Sequence, residues 1–196
     1  MSQSLKVAVS GSHSTDKSSF LRLVKQHLDT RNIQHTIVAD MATRCPFPIL
    51  KQQTIESSLW MISTSVAEEI AALNKTDIVL VDRPIIDTWA YLMAVTSYDL
   101  SSDSNAALAT YECIIQNWIR TYDIIYRTQI DETIPVEDNK GRDLDASYRS
   151  LIGSLMDSAY IKFEVSTRLL NALNVQQEVD WLVNYIVKEG VDRDRP

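Results

Sequence analysis

Glycine is scarce in this chain. Four occur in 196 residues, where average usage near 7% would place roughly 14. A collagen-like or glycine-rich low-complexity chain is excluded, and each remaining glycine marks a place where backbone freedom can matter. Cysteine is scarcer still, at two. Cys45 and Cys113 stand far apart with no CxxC spacing, which removes a zinc finger and a disulfide scaffold. No apolar run approaches the ~18 residues of a membrane span. The start, MSQSLKVAVS, has a single Lys and no small-residue cleavage site, so it does not read as a signal peptide. An excess of positive charge is also missing. Lys+Arg total 19 against Asp+Glu 26, a net charge of −7, which disfavours a general duplex-DNA binder whose affinity rests on neutralising phosphates. What is present, 45% hydrophobic and 23% charged residues, suffices for a packed core, and the length suits one domain over 1–196. The chain reads as cytosolic.

Hydrophobic periodicity lays out the elements. Leu5 to Ser10 is a short apolar run ended by Gly11, and reads as a buried strand. From Lys17 the pattern turns helical, with Phe20, Leu21, Val24 and Leu28 on one face. Residues Ile33 to Ala39 predict a second strand ending at Asp40. Gln52 to Asn74 predicts a long helix with Ile55, Leu59, Ile62, Val66 and Ile70 along one stripe. Asp77 to Asp82 predicts a strand covered on both faces, and Pro84 opens a helix to about Val95. Ser97 to Ser104 reads as a loop, with Ser102 or Asp103 capping a helix to about Thr121. Tyr122 to Gln129 predicts a fourth strand and Tyr160 to Val165 a fifth. Helices are predicted over Leu144 to Ser158 and over Val179 to Val187, the latter with Trp181 and Leu182 inward. Asp131 to Asp143 is rich in charge and breakers, and a mobile lid is expected at about 131–150. Strands alternating with helices predict a three-layer α/β domain. Its centre would be a five-stranded parallel sheet with the first strand internal and Val7 and Val79 on neighbouring strands.

Between the first strand and the first helix lies Gly11-Ser12-His13-Ser14-Thr15-Asp16-Lys17-Ser18. Its spacing is that of the phosphate-binding loop GxxxxGK[ST], whose N–H groups cradle phosphate at a helix N-terminus. In that pattern Lys17 reaches the β/γ-phosphates and the Ser18 hydroxyl ligates magnesium. Residues 11 to 18 together with Ser19 are the candidate nucleotide-binding set. Asp16 departs from the motif's second glycine. Asp tolerates a left-handed backbone better than most residues, but at ~5 Å and an effective dielectric of ~20 its charge would repel the triphosphate by roughly 3 kcal/mol.

Three segments together resemble the phage and bacterial P-loop kinases often labelled AAA-like ATPases, relatives of ribosylnicotinamide kinases and deoxynucleoside or nucleotide kinases. They are the loop itself, then Asp40-Met-Ala-Thr-Arg44-Cys-Pro-Phe-Pro-Ile49, then Asp82-Arg83-Pro-Ile-Ile-Asp87-Thr-Trp-Ala-Tyr91. A weaker fourth is Gly141-Arg142 with Arg149. The resemblance implies a P-loop NTPase fold of nucleotide-kinase type and an ATP- and Mg2+-dependent transfer to a hydroxyl or phosphate of a nucleoside or nucleotide. It implies Lys17, Asp40 and Arg83 as catalytic residues, Asp40 as base to the acceptor, and Asp82 with Ser18 at magnesium. Arg142 would close over ATP as a lid residue. Asp40, Arg44, Trp60, Arg83, Asp87 and Tyr91 would line the acceptor site. Two other functions stand beside this one: a phage kinase acting on a hydroxymethylated pyrimidine in DNA, disfavoured by the net charge, and a nucleotide-binding ATPase or regulator without kinase chemistry, favoured by Asp16. The expected setting is the cytoplasm of a bacterium or a phage-infected host, with a homodimer among the expected assemblies.

Overall fold

A computed structural model describes residues 4–12, 15, 17–96, 102–129 and 145–193. Five parallel strands form one sheet in the order β2-β3-β1-β4-β5: β1 (Leu5–Ser10), β2 (His35–Val38), β3 (Ile78–Asp82), β4 (Ile124–Thr128) and β5 (Arg168–Leu170). β1 is central, as its unbroken burial requires, and Val7 pairs with Leu80 and Lys6 with Val79 on β3. Helices α1 (Lys17–Thr30) and α6 (Val175–Arg193) cover one face, where Val7, Val9, Phe20, Val24, Leu80, Leu182 and Val183 form a core. The other face carries α2 (Ile55–Leu73), α3 (Ile86–Thr96), α4 (Ser102–Trp118) and α5 (Ala146–Lys162), packed around Ala8, Val79, Val81, Ile85, Ile115 and Ile152. This is the three-layer α/β arrangement expected of alternating strands and helices.

Local chemistry sets the helix starts. Thr54 and Ser57 form a reciprocal capping box at α2, and the Asp145 side chain accepts from the N–H groups of Ser147 and Tyr148 at α5; each satisfies donors that have no partner within the helix. The predicted lid lies outside the described residues up to position 144.

Three expectations are corrected. Tyr160 to Val165 is not a strand: α5 continues through Lys162, and the fifth strand is the three-residue Arg168–Leu170. On α2 the stripe does not run to Ile70, which is 54% exposed; Ser57, Ser58, Met61, Ile62, Ser65, Glu69 and Ala72 are the buried positions. Trp181 is 37% exposed, while Leu182 is fully buried. Trp181 stacks on Tyr185 and carries the Arg168 guanidinium over its ring at 3.7 Å.

Candidate active site

Parallel strands deliver their C-terminal ends to one edge, the usual ligand side of such sheets. Register places Val9 beside Asp82 and Ser10 beside Arg127, while β2 ends two residues before Asp40. Gly11, Asp40, Asp82, Arg83 and Thr128 therefore meet at one edge although 117 positions separate the first from the last (128 − 11).

The loop after β1 has a φ of +148° at Gly11, and a Cβ there would lie 1.8 Å from Thr128 Oγ1. Only glycine fits. Lys17, at the first turn of α1, is 5% exposed. Its ammonium donates to the Ser12 carbonyl at 2.5 Å and to Thr15 Oγ1 at 3.1 Å. Burial, and next the nearby Arg83 charge, lower its pKa to about 7. The Ser12 hydroxyl is buried and has no hydrogen-bond partner among the described residues. Ser18 Oγ donates to Asp82 Oδ2 at 3.4 Å. Burial raises the Asp82 pKa from its ordinary value, against the pull of Arg83 and Lys17. His13, Ser14, Asp16 and Arg142 lie outside the described residues, and Ser19 is half-buried on α1.

Arg83 follows β3 with a φ of +71°, a strained conformation for a residue with a side chain. The turn aims its guanidinium back across the sheet edge. Nε donates to Asp40 Oδ2 at 2.7 Å, and Nη1 donates to the Gly11 carbonyl at 2.7 Å and reaches Asp87 Oδ2 at 3.5 Å. Burial works against its charge, but Tyr91 and the carboxylates of Asp40, Asp87 and Asp82 more than offset this and hold it protonated. Asp40 caps the short 3-10 turn Met41–Arg44 through Oδ1, which accepts from Ala42 N at 3.0 Å. Each carboxylate oxygen has two lone pairs, so capacity to accept remains on both.

The structure brings Lys17, Ser18, Asp40, Asp82 and Arg83 together, and places the other acceptor candidates differently. Asp87 is 2% exposed and lies beneath the loop. It accepts from the Ser10 hydroxyl and from Gly11 N at 3.1 Å, and burial raises its pKa. Arg44 turns to Glu68 on α2 at 2.5 Å and is exposed. Tyr91 is buried, with Arg83 5.7 Å from its ring centre. Trp60 packs half-buried against the core. Arg149, of the weaker fourth segment, is buried on α5.

Several residues at this edge carry no motif. The Tyr160 hydroxyl donates to Ser10 Oγ from α5. Arg127, at the end of β4, pairs with Asp157 at 2.5 Å. Thr128 Oγ1 donates to the Ser10 carbonyl at 3.0 Å and contacts Thr15 Oγ1 at 2.6 Å. Among the described residues no cluster of three His, Cys, Asp or Glu side chains is arranged to hold a metal ion, and no helix is long and apolar enough to cross a membrane.

No protein-family model and no curated protein matches the sequence. Solved structures do. A deoxyadenosine kinase from M. mycoides with bound dATP superposes with a TM-score of 0.68 at 14% identity, covering 93% of this chain and 98% of that one. A thymidylate kinase from Ehrlichia chaffeensis gives 0.59 at 14% identity, covering 91% and 98%. The NadR protein in complex with NR gives 0.66 at 17% identity, covering 93% of this chain and 51% of that one. The fold is that of the P-loop nucleoside and nucleotide kinases.

Proposed function

We propose that this protein is a P-loop kinase that moves the γ-phosphoryl group of ATP, with magnesium, to a hydroxyl of a nucleoside-type acceptor. One observation carries the reading: the Lys17–Ser18–Asp82 group and the Asp40–Arg83 pair share one sheet edge, joined through the Gly11 carbonyl. The loop suits phosphate: among the described residues the buried Ser12 hydroxyl has no partner and the Lys17 ammonium is held by a carbonyl and a hydroxyl. Ser18 and Asp82 are the residues that would hold magnesium, which takes few protein ligands and neutralises charge on the phosphates when bound. Thr15 and Ser19 complete the loop side, with His13, Ser14, Asp16 and Arg142 as further proposed contacts.

Lys17 brings positive charge to the transferring group, and Asp40 takes the acceptor proton as the new O–P bond forms and ADP leaves. Arg83 aims Asp40. A hydroxyl acceptor fits better than a phosphate acceptor, because a hydroxyl needs a base whereas an anionic oxygen needs cations. The nearest guanidinium, Arg83, is engaged by Asp40, Gly11 and Asp87, and Arg44 by Glu68. Trp60, Tyr91 and Arg44 are the further proposed acceptor residues, and Asp87 would act indirectly, through the Ser10 hydroxyl and the Gly11 N–H.

The test is ADP release from MgATP with and without a panel of nucleosides, nucleoside monophosphates and hydroxymethylated-pyrimidine DNA. Acceptor-dependent release with nucleosides, lost in Asp40→Asn, is expected. Acceptor-independent release would make the protein an ATPase. Binding without release would favour the regulator reading that Asp16 supports.

A further inference from the structure

We infer that Thr128 is a positioning residue that staples the phosphate loop closed from the neighbouring strand. The inference rests on the nucleotide-loop reading above and adds a residue that no motif marks. Thr128 is buried at the end of β4, where its backbone pairs with Leu170. Its single hydroxyl bridges the two sides of the loop, touching the Ser10 carbonyl at the start and the Thr15 hydroxyl near the end. Gly11 passes beneath it with no room for a Cβ.

Ser10 O can only accept, so the Thr128 proton goes there. Thr15 Oγ1 is also placed to donate to the Ser12 carbonyl at 2.9 Å, but Lys17 already donates to that carbonyl as well as to Thr15 Oγ1. With the Ser12 carbonyl served by Lys17, the Thr15 proton is available to Thr128, and a chain of donors then runs from the Lys17 ammonium through Thr15 and Thr128 to the last carbonyl of β1. Such chains polarise each member. When phosphate draws the ammonium away, Thr15 keeps its place through Thr128, and the loop keeps its shape.

Calorimetric titration of MgATP into the full chain tests this with Thr128→Val, Thr128→Ser, Thr15→Val and the Thr15→Val/Thr128→Val double variant. Valine keeps the branched shape and lacks the hydroxyl; serine keeps the hydroxyl. A lost hydrogen bond of ordinary strength predicts about tenfold weaker binding for Thr128→Val and within about threefold of wild type for Thr128→Ser. The double variant is expected to bind no more than about twofold more weakly than the weaker single variant, since both singles break one pair. Melting of the nucleotide-free proteins is recorded alongside. Wild-type affinity in Thr128→Val, equal losses in the serine and valine variants, or losses that multiply in the double variant would each overturn the staple. If Thr128→Val does not fold, Thr15→Val reads the same pair from the loop side, and unchanged affinity there overturns it. A folded wild-type chain that binds no MgATP overturns the nucleotide reading and this inference together, whereas binding with multiplying losses overturns the staple alone.

Discussion

Two lysines lie buried near the start of the chain, at opposite ends of β1, and their surroundings differ in one respect. Lys6, 1% exposed, sits at the N-terminal end of the sheet. Its ammonium meets Glu69 at 2.8 Å and Thr121 Oγ1 at 2.5 Å, between the rings of Trp118 and Tyr122 at 4.4 and 4.3 Å. Glu69 in turn accepts from Trp118 Nε1 and the Tyr122 hydroxyl. That charge is closed off and fully matched. Lys17 forms no ion pair among the described residues; it has a carbonyl and a hydroxyl, with Arg83 adding repulsion. Burial lowers both pKa values. Burial alone therefore does not distinguish a structural cation from a functional one. Among the described residues Lys17 lacks the direct ion pair that Lys6 has, with Asp87, Asp82 and Asp40 acting on it without touching it, and on the proposed reading that difference marks the end of the sheet where an anionic ligand adds to the balance.

Breaking the matched pair should produce the largest effect. Glu69→Ala leaves Lys6 buried and alone, and about 3–5 kcal/mol of stability should be lost in urea denaturation. Replacing both members with apolar residues, Lys6→Met with Glu69→Leu, should recover most of it. Lys17→Ala should do the reverse. Unfolding free energy should hold or rise, since an uncompensated buried charge is removed, while MgATP affinity falls on the order of 10- to 100-fold, the worth of a charged hydrogen bond. Equal stability losses in Glu69→Ala and Lys17→Ala would erase the distinction between the two ends.

Asp16→Gly sharpens the contrast at the open end. The substitution removes a negative charge next to Lys17 in sequence, and MgATP binding should tighten by roughly threefold to tenfold once solvent screening reduces the Coulomb repulsion. Abolished binding in a folded Asp16→Gly variant would give Asp16 a ligand role of its own, and a magnesium titration of both forms would register it.

A pH dependence of the nucleotide-free protein probes the same end without ligand. The Lys17 pKa is about 7 in the folded chain against 10.5 unfolded. Between those values the unfolded chain binds more protons, so stability should rise with pH, by at most about 1.4 kcal/mol per unit. The burial penalty is complete below about pH 7. Lys6 contributes with the same sign, so the Lys17 share is the difference between wild type and Lys17→Ala. A difference that stays flat with pH contradicts the assignment.

These contrasts also explain what the sequence could disclose. β1, β3 and the phosphate loop were legible because each is a contiguous run with its own punctuation, and the Asp40 and Asp82-Arg83 segments because they end such runs. The fifth strand was misplaced because Tyr160 to Val165 has strand-like composition while belonging to the end of α5 and the turn after it. Its replacement is a three-residue edge whose Leu169 is exposed, too short for alternation to register. The α2 stripe failed for a different reason. Lys6 demands a buried carboxylate, so polar Ser65 and Glu69 face inward and Ile70 faces out. Ser10, Thr128 and Tyr160 were invisible because their partners lie on other elements, and no local pattern records a bond between positions 10 and 160.

The most direct measurement is the proton balance of MgATP binding. Calorimetry at about pH 8.5, in two buffers of different ionisation enthalpy, counts protons taken up by the complex; at that pH a group of pKa near 7 is mostly neutral when free and charged beside phosphate. The account predicts uptake of close to one proton in wild type and its loss in Lys17→Ala. Binding with no proton uptake, or with the same uptake in both proteins, would contradict an unmatched Lys17 waiting for phosphate.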